Sequence, residues 1–207
     1  EAERAELQTI FNMPLRNYII WTYCDMSGDL KKWWQGPEFT EQGSKEEYRQ
    51  IYELTVYLLT HFNNSGKHFY LGVWESDYHL LGFALNPKEP TQLRINGFIE
   101  WMNVRQKAIE DARRTVPHEN VEVYGYAEVV RYFDALEGKS RVVNSVLPHI
   151  RVDLVSYSSY ESTGDQTFNW GEDVRLATRE AFDYIAKHSP PSEVPGCRVF
   201  VGEYGYP

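Results

Sequence analysis

Residues His68 to Asp77 read HFYLGVWESD: an apolar, aromatic run of strand length that stops on a tryptophan and is followed by two acids, Glu75 and Asp77, within three residues. A strand that is apolar throughout, with no polar residue at every second position, suits a parallel sheet covered on both faces. The same pattern recurs upstream at Arg16–Cys24 (RNYIIWTYC) and downstream at Val121–Ala127, Val152–Tyr157 and Cys197–Gly202 (CRVFVG). Between these runs lie stretches of helical period. Residues 2–11 read as the end of a helix, and Ser44–Phe62 follows with Ser44-Lys45-Glu46-Glu47 as a capping box. Asn96–Arg114 is a long helix, Lys139–Leu147 a short one and Gly171–His188 an amphipathic one. Strand and helix alternate five times, which is the order of parallel βα units and not of hairpins.

Two architectures use such units. An open doubly wound sheet advertises a Gly-rich phosphate loop after its first strand, and neither G-x-G-x-x-G nor G-x-x-x-x-G-K-[ST] occurs. The expectation is therefore an α/β chain of the (β/α)8 TIM-barrel class, with residues 1–207 as a single domain. A complete barrel of this kind needs about 200 residues at least and typically about 250. Five visible strands predict an incomplete barrel, with two strands before Glu1 and one after Pro207.

Composition narrows the function. The 207 residues are 42% hydrophobic and 15% aromatic, enough for one sizeable core. Lys and Arg number 21 against 30 Asp and Glu, a net charge of -9 without a basic cluster, which argues against a nucleic-acid partner. No apolar run reaches the roughly 18 to 20 residues of a membrane span. The start, Glu-Ala-Glu-Arg, has neither an initiator Met nor the pattern of a signal peptide, so a mature product or an excised piece is expected. Cys24 and Cys197 fall at opposite ends of parallel strands, which predicts two free, mostly buried thiols. The six histidines show no ligand spacing, so no metal and no cofactor is expected. Phe98, Trp101, Met102 and Ile109 recur at helical spacing as core, while Arg105, Arg113 and Arg114 are expected to face solvent or acids on their own helix.

Functional groups in parallel βα proteins gather where the strands end. The first strand delivers Trp21, Tyr23 and Asp25 there, the second Trp74, Glu75 and Asp77, the third Tyr126 and Glu128. The fourth ends on Tyr157 and Tyr160, the fifth on Glu203 and Tyr204. Two carboxylates across an aromatic-lined mouth are what cleavage of a glycosidic bond requires: a proton donor for the leaving oxygen, and a nucleophile or water-activating base. Trp and Tyr rings stack on the apolar faces of sugars. Glu75 and Glu203 are the candidate pair, and Trp21, Tyr23, Trp74, Asp77, Glu128, Tyr157 and Tyr160 the candidate substrate-binding residues.

The ending FVGEYGYP, Phe200–Pro207, resembles the seventh-strand nucleophile motif of the clan of retaining (β/α)8 glycoside hydrolases that includes the family 5 cellulases. In that clan the acid/base Glu closes strand four and the nucleophile closes strand seven. Glu75 and Glu203 lie three βα steps apart as well, so the chain looks like strands three to seven. The resemblance implies a retaining double displacement on a β-linked poly- or oligosaccharide. Glu203 would attack, Glu75 would act as acid and then base, and the carboxyl groups would stand roughly 5 Å apart. It also implies secretion or a periplasmic location. The clan carries Asn before its acid/base Glu where Trp74 stands here, so Glu128 and Asp77 remain alternative proton donors. A carbohydrate-binding barrel without turnover is the rival function, and a fragment too incomplete to fold stably is the third reading. Oligomeric state, sugar and linkage are not legible.

Overall fold

The computed structural model describes residues 4–26, 32–34, 40–83, 89–163 and 174–205. After helix α1 (Ala5–Phe11) the chain runs β1 (Asn17–Trp21), α2 (Glu41–His61), β2 (Lys67–Gly72), α3 (Ser76–Leu81) and α4 (Gln92–Thr115). It continues through β3 (Val121–Val129), α5 (Tyr132–Leu136), β4 (Leu154–Ser158), α6 (Tyr160–Thr163), α7 (Val174–His188) and β5 (Val199–Glu203). The five strands form one sheet in the order β1-β2-β3-β4-β5, every neighbouring pair parallel. An order that never reverses has no topological switch point, which separates this sheet from the doubly wound class. Because successive crossovers share one hand, the helices collect on one side and the twisted sheet curls away from them into half a barrel.

Strand alternation sorts the side chains. Tyr18, Phe69, Leu71, Val121 and Val123 are buried against α1, α2 and α4, while Val129, Val155, Tyr157 and Val199 are buried with Trp101, Ala181 and Ile185 of the helical layer. The expected core of α4 is found, with Phe98, Trp101, Met102 and Ile109 all buried. The opposite, concave face carries Tyr70, Tyr124, Tyr126 and Phe200, whose rings meet at centroid separations of 5.7 to 6.1 Å. Gly72 is what admits Tyr126: a Cβ there would collide with its ring.

A buried ion pair ties the convex layer to the functional end. Arg105 of α4 donates Nη1 to Glu47 of α2 at 2.5 Å and Nη2 to the Thr22 carbonyl at 3.0 Å, directly after β1. Arg113 likewise grips Asp153 with both guanidinium nitrogens, at 2.9 and 3.0 Å. The expectation that these arginines face solvent or acids of their own helix is thus corrected for Arg105 and Arg113. Arg114, paired with Asp111, keeps to it.

Other boundaries differ for local reasons. Helix α2 begins at Glu41, because Thr40 Oγ1 accepts the Gly43 N–H at 3.2 Å and takes the capping role expected of Ser44. Strand β3 runs two residues beyond its expected end, which brings Glu128 into the ladder. The short helix expected at Lys139–Leu147 is a π turn, Val142–Val146, followed by a 3-10 turn, Leu147–His149. The Arg141 side chain is fully buried on Asp134, and Asn144 Oδ1 captures the Arg141 N–H at 2.8 Å, so side chains hold this backbone in place of a regular helical ladder. The expected start of the last helix, 171–173, lies outside the described residues. Both thiols are free; Cys24 is half-buried, and Cys197 is exposed where burial was expected. No helix among the described residues is long and apolar enough to cross a membrane.

Candidate active site

The second strand ends at the position the sequence singles out. After Gly72 the chain places Trp74 on the concave side, its ring stacked on Trp21 of β1 at 5.2 Å and 27°. Both rings are well exposed, Trp21 at 50% and Trp74 at 39%. Tyr23 clamps the backbone beneath them, its hydroxyl accepting the Trp74 N–H and donating to the Trp74 carbonyl, both at 3.1 Å. Glu75 follows with φ 58 and ψ 44, the left-handed region that a residue with a Cβ adopts only at a cost. Its carbonyl accepts the His79 N–H at 2.9 Å and opens α3, but its side chain caps nothing. One carboxylate oxygen, Oε2, is buried without a hydrogen-bond partner among the described residues. Burial first, then the negative charges of Glu203 and Asp77, push the Glu75 carboxyl above the ordinary carboxylate range.

Glu203 closes β5 on the same edge of the sheet. A register shift at Tyr157/Ser158 sets Ser158 opposite Glu203, and the Ser159 N–H and Oγ both donate to the Glu203 carbonyl, at 2.8 and 3.1 Å. Gly202 lets β5 approach β4 here, since a Cβ would overlap the Ser156 hydroxyl. Between the two strands carrying Glu75 and Glu203 lies Glu128 of β3. It is 2% exposed, accepting the Ser76 N–H at 3.0 Å and the Ser158 hydroxyl at 2.7 Å. Burial lifts Glu128 to about 7; the two hydrogen bonds pull it down, and Glu203 and Glu75 push it up. Tyr160, 45% exposed at the start of α6, feels Glu203, Glu75 and Glu128 together. Three carboxyl groups therefore converge on one sheet edge under a rim of Trp21, Trp74, Tyr23 and Tyr160.

Two of the expected residues do not join them. Asp77 is fully buried and accepts the backbone N–H groups of Val130, Arg131 and Val142 at 2.9, 2.9 and 2.7 Å. It anchors the loops after β3, and neither sugar binding nor proton donation is open to it. Tyr157 is also fully buried, its ring against Tyr132 and Phe182 in the helical layer. Alternation along β4 explains the correction: Ser156 and Ser158 take the concave face, so Tyr157 must take the other. Glu128 is brought to the site but lies beneath it, too buried and too fully bonded to contact a sugar.

His79, Ser158 and Ser159 join the site without having been singled out. His79 lies one helical turn after Glu75, with Nε2 3.4 Å from the Tyr23 hydroxyl and Nδ1 buried without a partner. Burial, then Arg94, lower it to about 4, so it is neutral at pH 7. A cavity of about 340 Å³ opens beside it, lined by Tyr23, Asp25, Trp34 and Trp101 among others. The spacing Glu75-x-x-x-His79 was the available signal, readable once the segment after β2 is taken as a helix. Among the described residues, no group of three His, Cys, Asp or Glu side chains is arranged to hold a metal ion.

The arrangement offers a carboxyl biased toward its protonated form facing a second acid, with aromatic rings on the open side. Such a set can donate a proton, attack or activate water, and hold a ring with apolar faces. The chain matches no protein-family model, no curated protein and no solved structure.

Proposed function

We propose that this protein is a glycoside hydrolase acting on a β-linked poly- or oligosaccharide, on a sheet of the (β/α)8 type, by a retaining double displacement. Glu203 attacks the anomeric carbon while Glu75 protonates the leaving oxygen; Glu75 then takes a proton from the water that releases the sugar. The observation that carries this reading is Glu75 itself: a left-handed backbone, a buried oxygen without a partner, and a carboxyl raised by burial and by Glu203. Such features are costly to a fold and serve proton transfer at neutral pH. Trp21 and Trp74 supply an exposed platform for a sugar face, and Trp74 directly precedes the acid in the chain. The resemblance of Phe200–Pro207 to the clan's nucleophile motif agrees with the role given to Glu203.

The test is reducing-sugar release from β-glucans, mannans and xylans, comparing the protein with its Glu203→Gln variant. Turnover abolished by that exchange is the expected result. Saturable binding of one of these glycans without turnover would replace this reading with a carbohydrate-binding sheet, for which the Trp21–Trp74 stack alone is sufficient.

A further inference from the structure

We propose that Glu128 is a positioning residue, a buried clamp that fixes the Glu75 turn and the Glu203 strand end relative to one another. This rests on the reading of Glu75 and Glu203 as a working pair.

The geometry is a bridge across three strands. Glu128 Oε2 takes the N–H of Ser76, the residue directly after Glu75, at 3.0 Å. Glu128 Oε1 meets the hydroxyl of Ser158 at 2.7 Å. Ser158 is the register partner of Glu203, and the next residue, Ser159, holds the Glu203 carbonyl by two donors. Every group in the bridge is buried: Glu128, Ser76, Ser158 and Ser159 are each 2% exposed or less.

Both ends need restraint. Glu75 sits in a backbone conformation it does not favour, and β4 and β5 pair with a register shift at Tyr157/Ser158. Neither segment is fixed by a regular ladder at the point where its glutamate emerges. A carboxyl accepting from both sides supplies the missing constraint, and catalytic pairs tolerate displacements of only about 0.5 Å. The groups facing Glu128 are Tyr23 after β1, Glu75 before α3, Tyr126 on β3, Tyr160 on α6 and Glu203 on β5. Its raised affinity for a proton suits the clamp, because a protonated Oε1 donates to Ser158 Oγ as readily as an ionised one accepts from it.

Two variants separate position from charge. Glu128→Gln keeps an acceptor for Ser76 and a polar partner for Ser158; Glu128→Ala removes both arms. Kinetics on the turned-over glycan are paired with carbon-13 carboxyl titration of Glu75 and Glu203, which reads their mutual coupling without substrate. The expected result is a kcat loss of about 10- to 100-fold in the Ala variant with KM within about twofold, and rescue to within about threefold by Gln. In the titration, Gln retains the wild-type coupling between Glu75 and Glu203 and Ala diminishes it. Equal behaviour of the two variants in both measurements would overturn the clamp. If no glycan is turned over but the titration contrast is present, the clamp stands and the hydrolase reading fails. If glycan is turned over and the contrast is missing, the reverse holds. Should Glu128→Ala not fold, Ser158→Ala cuts one arm and carries the same comparison, a wild-type coupling then counting against the clamp.

Discussion

Replacing Glu75 by glycine is expected to make the protein more stable while abolishing activity, and the size of the gain follows from two separable terms. Glu75 holds φ 58 with a Cβ, and a left-handed residue with a side chain costs about 1 to 2 kcal/mol. Glycine removes that cost but adds chain entropy to the unfolded state, about 0.5 to 1 kcal/mol. The second term is the buried oxygen without a partner, whose desolvation costs about 1 to 3 kcal/mol when no hydrogen bond repays it. Glu75→Ala removes the second term and keeps the first; Glu75→Gly removes both. The expected order of stability is Gly above Ala above the native chain, with Gly ahead of Ala by about 0.7 kcal/mol and ahead of the native chain by about 3 kcal/mol. For a chain of this size the larger gap is a rise in Tm of about 6 to 12 °C. Differential scanning calorimetry of the three proteins is the assay. Asn64→Gly is the control, since Asn64 has φ 61 but Asn tolerates that region, and its gain should be smaller. An Ala variant less stable than the native protein would refute the claim that the carboxylate is held at a cost. A Gly variant no better than Ala would refute the backbone strain.

Three further outcomes are expected. Glu47→Ala leaves Arg105 buried and unpaired and should cost about 3 to 5 kcal/mol, read as a lowered urea midpoint at unchanged slope; a loss under about 1 kcal/mol would mean water reaches the pair. Folded Glu128 titrates at about 7, above the ordinary 4.5 of an unfolded carboxyl, so between those values the folded state binds the extra proton. Its stabilising contribution is full below about pH 4.5 and is lost as pH rises through 7. The difference in unfolding free energy, native minus Glu128→Gln, should therefore fall by up to about 3 kcal/mol across that window, and a pH-independent difference would contradict the raised affinity. Subtraction removes the opposite slope of His79, whose lowered value makes stability rise between about pH 4 and pH 6.5. Trp21→Ala removes half of the exposed stack and should raise KM about three- to tenfold with kcat nearly unchanged; an unaltered KM would remove Trp21 from the sugar site.

The alternation of apolar strands with helical stretches was legible because the strands are covered by helices on their outer side, and β1, β2, β3 and β5 keep aromatic residues such as Trp21, Tyr70, Tyr124 and Phe200 on their inner one. Few polar residues remain to mask the strands. The glutamates were legible for the same reason: Glu75 and Glu203 stand where apolar runs stop, at the sheet edge where parallel strands deliver their groups. What escaped is set by contacts between distant residues. Nothing local distinguishes Asp77, which is spent on three backbone donors of the β3–β4 connection, from Glu75 two residues earlier, whose oxygen Oε2 is left unpartnered. Tyr157 went to the wrong face because its strand was read as ending on it, whereas Ser158 extends β4 and fixes the alternation. His79 escaped because the six residues of α3 are too few to show a helical period.

Several clusters in this molecule combine charge with burial, and what sets the Glu75 edge apart is a buried carboxylate oxygen, Glu75 Oε2, without a hydrogen-bond partner among the described residues. Arg105 has Glu47 and Thr22, Arg113 has Asp153, and Arg141 has Asp134; these pairs fasten helices and loops to the sheet. The cavity beside His79 also holds two acids, Asp25 and Glu47, but Glu47 is paired with Arg105. Among the described residues, only the ends of β2, β3 and β5 gather a left-handed glutamate, an oxygen without a partner, a buried carboxyl near neutral affinity and a shifted register, all within electrostatic reach of one another. The left-handed backbone and the unpartnered oxygen each cost the fold something. A sequence free to optimise stability alone would place a glycine at 75. A glutamate held there at a cost, on one aromatic-rimmed edge, supports the proposed placement of the chemistry better than the size of any cavity does.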